Sequence, residues 1–557
     1  MASLQGKRES APLDDGYRFQ FSFRKFMRFM GPGWVMSLAY LDPGNLEADL
    51  QQGAYTNYNL LWVLWWSTVA GLMVQELCSR LCIVTGMSLA EAAGAKTGAY
   101  SPVTSYLLYA MMELAIIGSD IQEVVGSAIA FHLLFGWPLW FGCIVTGLDS
   151  FTFLLVYHCG VRYFEGLISL LILIIASCFF YNFSSVSVTS AIIIEGLVIP
   201  KLRKPALMQA MGTLGAVIMP HNLYLHSGLV KSRMKDFNRS DEASTQDAVT
   251  YSFLESALAL LVSFFINLAV VGTFANFFYS SKCASQSLAC VPVSGEVGTT
   301  ATDDLKHCTN DVLGSSVDAV CAEIGLDEAG DALEVALGPL GVLAWAIGLL
   351  AAGQASTMST TIAGQVVMDG FLDLKLNPWQ RATVTRLAAL GPSIIIAVST
   401  SDDAALRNSI NEWLNILQSI QLPFAIIPTL TFTASAFWMG DRFRNRGYLF
   451  FISCGLILLV LGCNVFLVAD FISTHPTTGY VSAILAGVAG CLYFAFIVVL
   501  LFAGSRIIRT GGATGIAVAH SRLLTGGAAN GYGAVPATET PAAAAARSSR
   551  EPHRGYA

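Results

Sequence analysis

Leu41-Asp42-Pro43-Gly44-Asn45 interrupts one long apolar stretch of this chain, and Met219-Pro220-His221-Asn222 interrupts another. Each interruption places a proline and an amide side chain inside a segment long enough to cross a bilayer. Hydrocarbon cannot hydrogen-bond an opened backbone, so such breaks persist only where they line a protected cavity. A matched pair of broken spans, one in each half of a chain, points to a binding site near the membrane midplane.

Composition supports that setting. The 557 residues are 54% hydrophobic and only 12% charged, about half the charge fraction of a soluble protein. The apolar runs are continuous rather than alternating, which excludes a β-barrel. The expected fold class is an all-α polytopic membrane protein of about 12 transmembrane helices. The spans are read at roughly 29–50, 60–84, 104–133, 138–157, 162–181, 206–231, 250–279, 338–368, 380–399, 406–437, 447–470 and 479–504. Residues 1–28 are polar and basic with no cleavable leader evident, so the first span is expected to serve as its own insertion signal.

Loop charge sets the orientation. Lys7, Arg8, Arg18, Arg24, Lys25 and Arg28 precede span one, and Lys231, Arg233, Lys235 and Arg239 follow span six. Arg442, Arg444 and Arg446 follow span ten, and Arg506, Arg509 and Arg522 follow span twelve. With twelve spans all of these share one side, so both termini are expected in the cytosol. Lys201, Arg203 and Lys204 fall on the other side as a local exception.

Four segments are expected: a cytosolic segment 1–28, a transmembrane unit 29–504, an acidic extracytosolic loop 280–337 within it, and a cytosolic tail 505–557. The transmembrane unit divides into a first repeat of about 29–181, a second of about 206–437, and extra spans over 447–504. Each repeat has five spans and opens with a broken one. An odd number inverts the second repeat relative to the first. The loop carries Asp303, Asp304, Asp311, Asp318, Glu323, Asp327, Glu328, Asp331 and Glu334, and also Cys283, Cys290, Cys308 and Cys321. Four cysteines on an oxidising side point to two disulfides of unassigned pairing, with a zinc site as the weaker alternative. The tail is rich in Gly, Ala, Ser, Thr and Pro, a composition that forms no packed core. Its Tyr532-Gly533-Ala534-Val535 resembles a tyrosine sorting signal.

The chemistry concentrates at the breaks. A carboxylate such as Asp42 at mid-depth is costly unless paired or solvated, so it either locks two helices or binds a cation. Asn45 adds an amide oxygen and the opened helix adds carbonyls. In span six, Pro220 frees the carbonyl of Ala216 four residues back, and Met219 adds a thioether. A soft sulfur offers little to Mg²⁺ or Ca²⁺ but is accepted by Mn²⁺, Fe²⁺, Co²⁺ and Cd²⁺. In span three, Glu113, Asp120 and Glu123 lie within about 80° of one helix face. They form either a salt-bridge network with Arg233 and Arg386 or a proton relay, and the two are compatible. His221 is a further proton candidate, while His226 is expected to be structural.

These stretches resemble the Nramp family of divalent metal transporters. The resemblance rests on Met36 to Asn45, Gly118 to Ser127, Gly215 to Ser227, Gly353 to Met358 with Gly364-Gln365, and Leu417 to Phe424. It implies a LeuT-type 5+5 inverted repeat plus two extra C-terminal spans, and proton-coupled uptake of Mn²⁺ or Fe²⁺ into the cytosol. It implies metal ligands at Asp42, Asn45, the Ala216 carbonyl and the Met219 sulfur, joined by Gln418 in another conformation. It also implies a proton path through Asp42, Asp120, Glu123 and His221, with Glu113, Arg233 and Arg386 in a supporting charge network. No cofactor, nucleic acid or obligate protein partner is expected. The expected location is a plasma membrane or an endosomal or vacuolar membrane, with the two equally open. The rivals are a sodium-driven amino-acid symporter of the same fold, a passive divalent cation channel and a membrane enzyme. The enzyme reading is disfavoured because no His-Glu-x-x-His motif or paired catalytic carboxylate motif occurs. Asn182-Phe183-Ser184 is a glycosylation sequon lying close to the membrane.

Overall fold

A computed structural model describes residues 19–159, 161–202, 206–292, 307–308, 319–372, 378–400, 403–474 and 479–511. A short helix α1 (Phe23–Phe29) leads into the first broken span, α2 (Pro32–Leu38) and α3 (Pro43–Thr56). Then come α4 (Leu61–Thr85), the short α5 (Leu89–Ala93), α6 (Pro102–Phe135), α7 (Leu139–Cys159), α8 (Val161–Phe183) and the exposed α9 (Ser190–Val198). The second broken span is α10 (Leu207–Val217) and α11 (Pro220–Lys231), followed by α12 (Glu242–Phe278). After α13 (Ser281–Ala284) lie three short strands, β1 (Ala289–Pro292), β2 (His307–Cys308) and β3 (Ala319–Ala322), and then α14 (Leu326–Leu337). The chain continues through α15 (Pro339–Leu372), α16 (Pro378–Ser399), α17 (Ala404–Gln421), α18 (Pro423–Ala434), α19 (Ala436–Phe443), α20 (Tyr448–Thr474) and α21 (Gly479–Thr510).

Among the described residues, eight helices are long and apolar enough to cross a membrane as single pieces. The two broken spans are split into shorter helices, and the remaining two are apolar over Leu139–Asp149 and Arg386–Ser399. Each expected span therefore has its helix or helix pair. Prolines set the breaks. Pro43 and Pro220 each occupy the first turn of the second half-helix, where a missing N–H costs nothing. Met219 is held extended before Pro220 (φ −72°, ψ 129°). Pro423 makes a third, gentler interruption between α17 and α18. The carbonyls it disturbs are met from α20 and α21: Asn464 Nδ2 donates to Ser419 O at 3.4 Å and Tyr493 Oη to Ile420 O at 2.9 Å.

Small residues let the half-helices approach their neighbours closely. A Cβ on Gly53 of α3 would lie 2.3 Å from the Val271 carbonyl of α12, and that backbone cannot step aside. Gly53→Ala is thus expected to push α3 off α12 and cost about 1–3 kcal/mol, seen as a lower melting temperature of the purified protein. An unchanged melt would mean that the two helices separate freely.

The loop cysteines pair as Cys283–Cys321 and Cys290–Cys308. They staple an antiparallel sheet of order β1-β3-β2 in which Cys290 lies opposite Cys321. The sulfurs of Cys283, Cys308 and Cys321 lie within 4.8 Å of one another. All four loop sulfurs are bonded in disulfides and cannot act as thiolates, which removes the zinc alternative. The knot is tied to the bundle: Ile324 N donates to Tyr55 Oη at 3.1 Å, and Gln51 Nε2 donates to Ile324 O at 3.3 Å. Arg407 of α17 pairs with Asp327 at 2.8 Å, and Asn408 donates to Glu328 at 3.1 Å. Glu323 lies in the same corner, where partial burial and then the charges of Glu328 and Asp403 push its carboxyl above the usual range.

Other expectations resolve locally. Lys201 pairs with Glu195 at 2.6 Å, so one cation of the discordant loop is partly neutralised. Asn182 is buried and its amide donates to Gly341 O at 3.3 Å, so the folded bundle leaves no room for a glycan on this side chain. Lys7, Arg8, Arg18, Arg203, Lys204, Asp303, Asp304, Asp311, Asp318, Arg522 and the Tyr532 to Val535 segment lie outside the described residues, as does the tail from 512 on.

Candidate functional site

Asp42 caps α3, and this local role fixes its position. Its Oδ1 accepts from Asn45 N at 3.2 Å and from Asn45 Nδ2 at 2.5 Å. The same Nδ2 donates to the Ala216 carbonyl at 2.8 Å and to Ala39 O at 3.3 Å. One amide group therefore bridges the break in span one and the carbonyl ahead of Pro220 in span six. Asp42, Asn45, Ala216, Met219, His221 and Gln418 are all buried.

The donor set is acceptor-rich. Asp42 Oδ2, Asn45 Oδ1 and Gln418 Oε1 have no hydrogen-bond partner among the described residues. A buried acceptor without a donor costs about 1–3 kcal/mol, a penalty that a cation would remove. Gln418 is held through its other end, with Nε2 donating to Ala115 O at 2.9 Å. The His221 ring lies beside Gln418, and neither of its nitrogens meets hydrogen-bond geometry with a described residue.

Span three supplies the neighbouring charges. Asp120 is ion-paired with Arg386 of α16, whose guanidinium also donates to the Thr357 carbonyl and the Thr361 hydroxyl of α15. Glu123 Oε1 accepts from Ser119 Oγ at 3.0 Å and from Thr360 Oγ1 at 2.5 Å, while Oε2 has no hydrogen-bond partner among the described residues. Asp42 and Asp120 are among the charges that act on Glu123. The acid face and the broken helices thus meet.

Two residues of the expected network stand apart from that meeting. Glu113 is half-buried two turns earlier on α6, beside Tyr109. Arg233 corrects the expectation more sharply, since it pairs with Glu165 of α8 and donates to Met30 O at 3.1 Å. Glu255 of α12 belongs to the same group and accepts from Gly31 N at 2.5 Å and Gly33 N at 2.9 Å. Arg233 follows α11, whose end lies over the entry to α2, and that placement gives it different acids from Arg386.

Sequence reasoning passed over Ser119, Thr360 and the α3–α17 link. Asn415 Nδ2 donates to Gly44 O at 3.2 Å, and Gln122 Nε2 donates to Asn415 Oδ1 at 2.9 Å. Ser119 carried a usable signal, because it lies one helical turn before Glu123 on the same face.

Two half-helix pairs joined across a buried carboxylate, within a bundle of twelve spans, place the chain among polytopic α-helical membrane transporters of LeuT-type inverted-repeat architecture with two added spans. Residues 33–470 match the family described as natural resistance-associated macrophage protein-like. The chain belongs to the Nramp family. It is 42% identical to a metal transporter nramp1 homolog of Dictyostelium discoideum over 81% of this chain and 76% of the relative. It is 40% identical to natural resistance-associated macrophage protein 2 of Homo sapiens, over 86% of this chain and 81% of the relative. Among solved structures, it is similar to a manganese transporter of Eremococcus coleocola crystallised with an aromatic bis-isothiourea substituted compound. There the TM-score is 0.72 and the identity 27%, over 88% of this chain and 97% of that one.

Proposed function

We propose that this chain is a proton-coupled symporter that carries divalent transition-metal ions, Mn²⁺ or Fe²⁺ and also Cd²⁺ or Co²⁺, into the cytosol. The observation that carries the reading is the Asn45 amide, which touches both the Asp42 carboxylate and the Ala216 carbonyl. Asp42, Asn45, the Ala216 carbonyl and the Met219 sulfur bind the ion, and Gln418 joins them when α17 moves. Oxygen acceptors attract any divalent cation, and the thioether favours the transition metals over Ca²⁺ and Mg²⁺. Protons pass by way of Asp42, Asp120, Glu123 and His221, with Arg386 holding Asp120 in place. A negative-inside potential assists entry by about 2.3 kcal/mol per charge per 100 mV.

The two repeats, of about 29–181 and 206–437, rock about this site, and the spans over 447–504 brace the second. Both termini are cytosolic and the stapled loop faces outward, in a plasma, endosomal or vacuolar membrane. The named relatives support the metal as substrate, since several are called metal transporters and one solved neighbour a manganese transporter. A sodium-driven amino-acid symporter is disfavoured, because the unpartnered oxygen of Asp42 would repel a substrate carboxylate.

The direct test is a panel of divalent ions in proteoliposomes with internal pH recorded. Mn²⁺ entry with acidification is expected. Mn²⁺ flux without acidification would favour a passive channel. Met219→Ala is expected to keep Mn²⁺ transport while admitting Ca²⁺ or Mg²⁺ as competitors. Unchanged selectivity would refute the role given to the sulfur.

A further inference from the structure

Ser119 is buried in α6 and has one hydroxyl facing two acceptors. Its Oγ lies 3.8 Å from Met219 Sδ and 3.0 Å from Glu123 Oε1. A serine hydroxyl has a single proton to donate. It can serve the thioether or the carboxylate, but not both at full strength. The carboxylate is not wholly dependent on it, because Thr360 Oγ1 donates to the same oxygen at 2.5 Å.

We propose that Ser119 is a positioning residue that divides its hydroxyl proton between the Met219 sulfur and the Glu123 carboxylate, so that a metal ion on the sulfur turns the proton toward Glu123. The inference rests on the function proposed above and adds a link between its two halves. With no ion on the thioether, the hydroxyl can donate to one sulfur lone pair and fix the position of the sulfur. A cation on the sulfur withdraws that electron density and repels the hydrogen end of the O–H dipole. The hydroxyl then donates to Glu123 Oε1 and stabilises its charged form. No bond is made or broken, and the proton stays on the Ser119 oxygen throughout. The charged groups acting on Glu123 are Asp120 on its own helix, Arg386 from α16 and Asp42 from α3, while α15 presents Thr360. Asp120 is already paired with Arg386. Ser119 is therefore the hydroxyl that connects Glu123 to a metal-site atom among the described residues.

The test uses the full chain in proteoliposomes, with Mn²⁺ KM, Vmax and protons entering per Mn²⁺ as readouts. Ser119→Ala is expected to raise KM roughly 2–10-fold, the range of one ordinary hydrogen bond, and to lower protons per metal. Ser119→Cys fills the same space with a weak donor and should follow Ala, which also covers the case in which Ala fails to fold. Ser119→Thr keeps the hydroxyl and should restore both readouts. The inference is overturned if Ala or Cys transports with wild-type KM and wild-type protons per metal, or if folded Thr does not restore them. Wild-type protein that moves no Mn²⁺ would instead overturn the proposed function itself, so the two failures are distinguishable.

Discussion

Asp42→Ala is expected to abolish divalent-metal binding, measured as the loss of Mn²⁺ heat in calorimetry. The substitution removes the charged member of the oxygen set and an acceptor that anchors the Asn45 amide at 2.5 Å. Without that anchor, the amide is no longer fixed on the Ala216 carbonyl. The change has a second effect, because Asp42 is the N-cap of α3. Losing a cap costs about 0.5–2 kcal/mol, which could lower affinity by loosening the helix. Asp42→Asn separates the two effects, since asparagine caps about as well as aspartate but carries no charge. Both variants should lose binding, while Asn should melt close to wild type. Wild-type affinity in either would make Asp42 a structural residue.

Arg386→Ala has the largest expected effect on stability. The guanidinium is buried together with Asp120 and is hydrogen-bonded to two groups of α15 as well. Removing it strands the buried Asp120 carboxylate, while the Thr357 carbonyl keeps the Thr361 hydroxyl as a donor at 2.7 Å. Breaking a buried pair from one side costs about 3–5 kcal/mol. The double variant Arg386→Ala with Asp120→Asn removes the stranded charge and should recover a substantial part of that loss. Thermal melting of the four proteins in a double-mutant cycle reads the coupling. Additive losses would show that Asp120 and Arg386 do not depend on each other for stability.

The breaks at Asp42 and Pro220 could be read from sequence because their cause is local. A proline beside polar groups inside an apolar run has few structural explanations. The meeting of the two breaks is long-range, yet the matched positions in the two halves made it an expectation, and the Asn45–Ala216 contact now gives it a distance of 2.8 Å. Arg233 shows the limit. Sequence counts acids and bases but does not say which helix end delivers a given arginine to which carboxylate, and Glu165 and Glu255 drew no notice. Four cysteines allow three pairings, and only the tertiary path of the loop selects one. Ser119 was missed for another reason. Serines in membrane helices commonly bond their own backbone, and its sulfur partner lies 100 positions away.

The joint at Leu422 has a mechanical consequence. Gln418 rides one turn ahead of it, and two of the loosened carbonyls beside Gln418 are held by Asn464 and Tyr493. Those two side chains also hold each other, at 2.9 Å. Any swing of α17 that carries Gln418 must drag this linked pair along or let go of it. The last two helices thereby form a brace on the joint, and the arm bearing Gln418 would travel only as far as that brace yields.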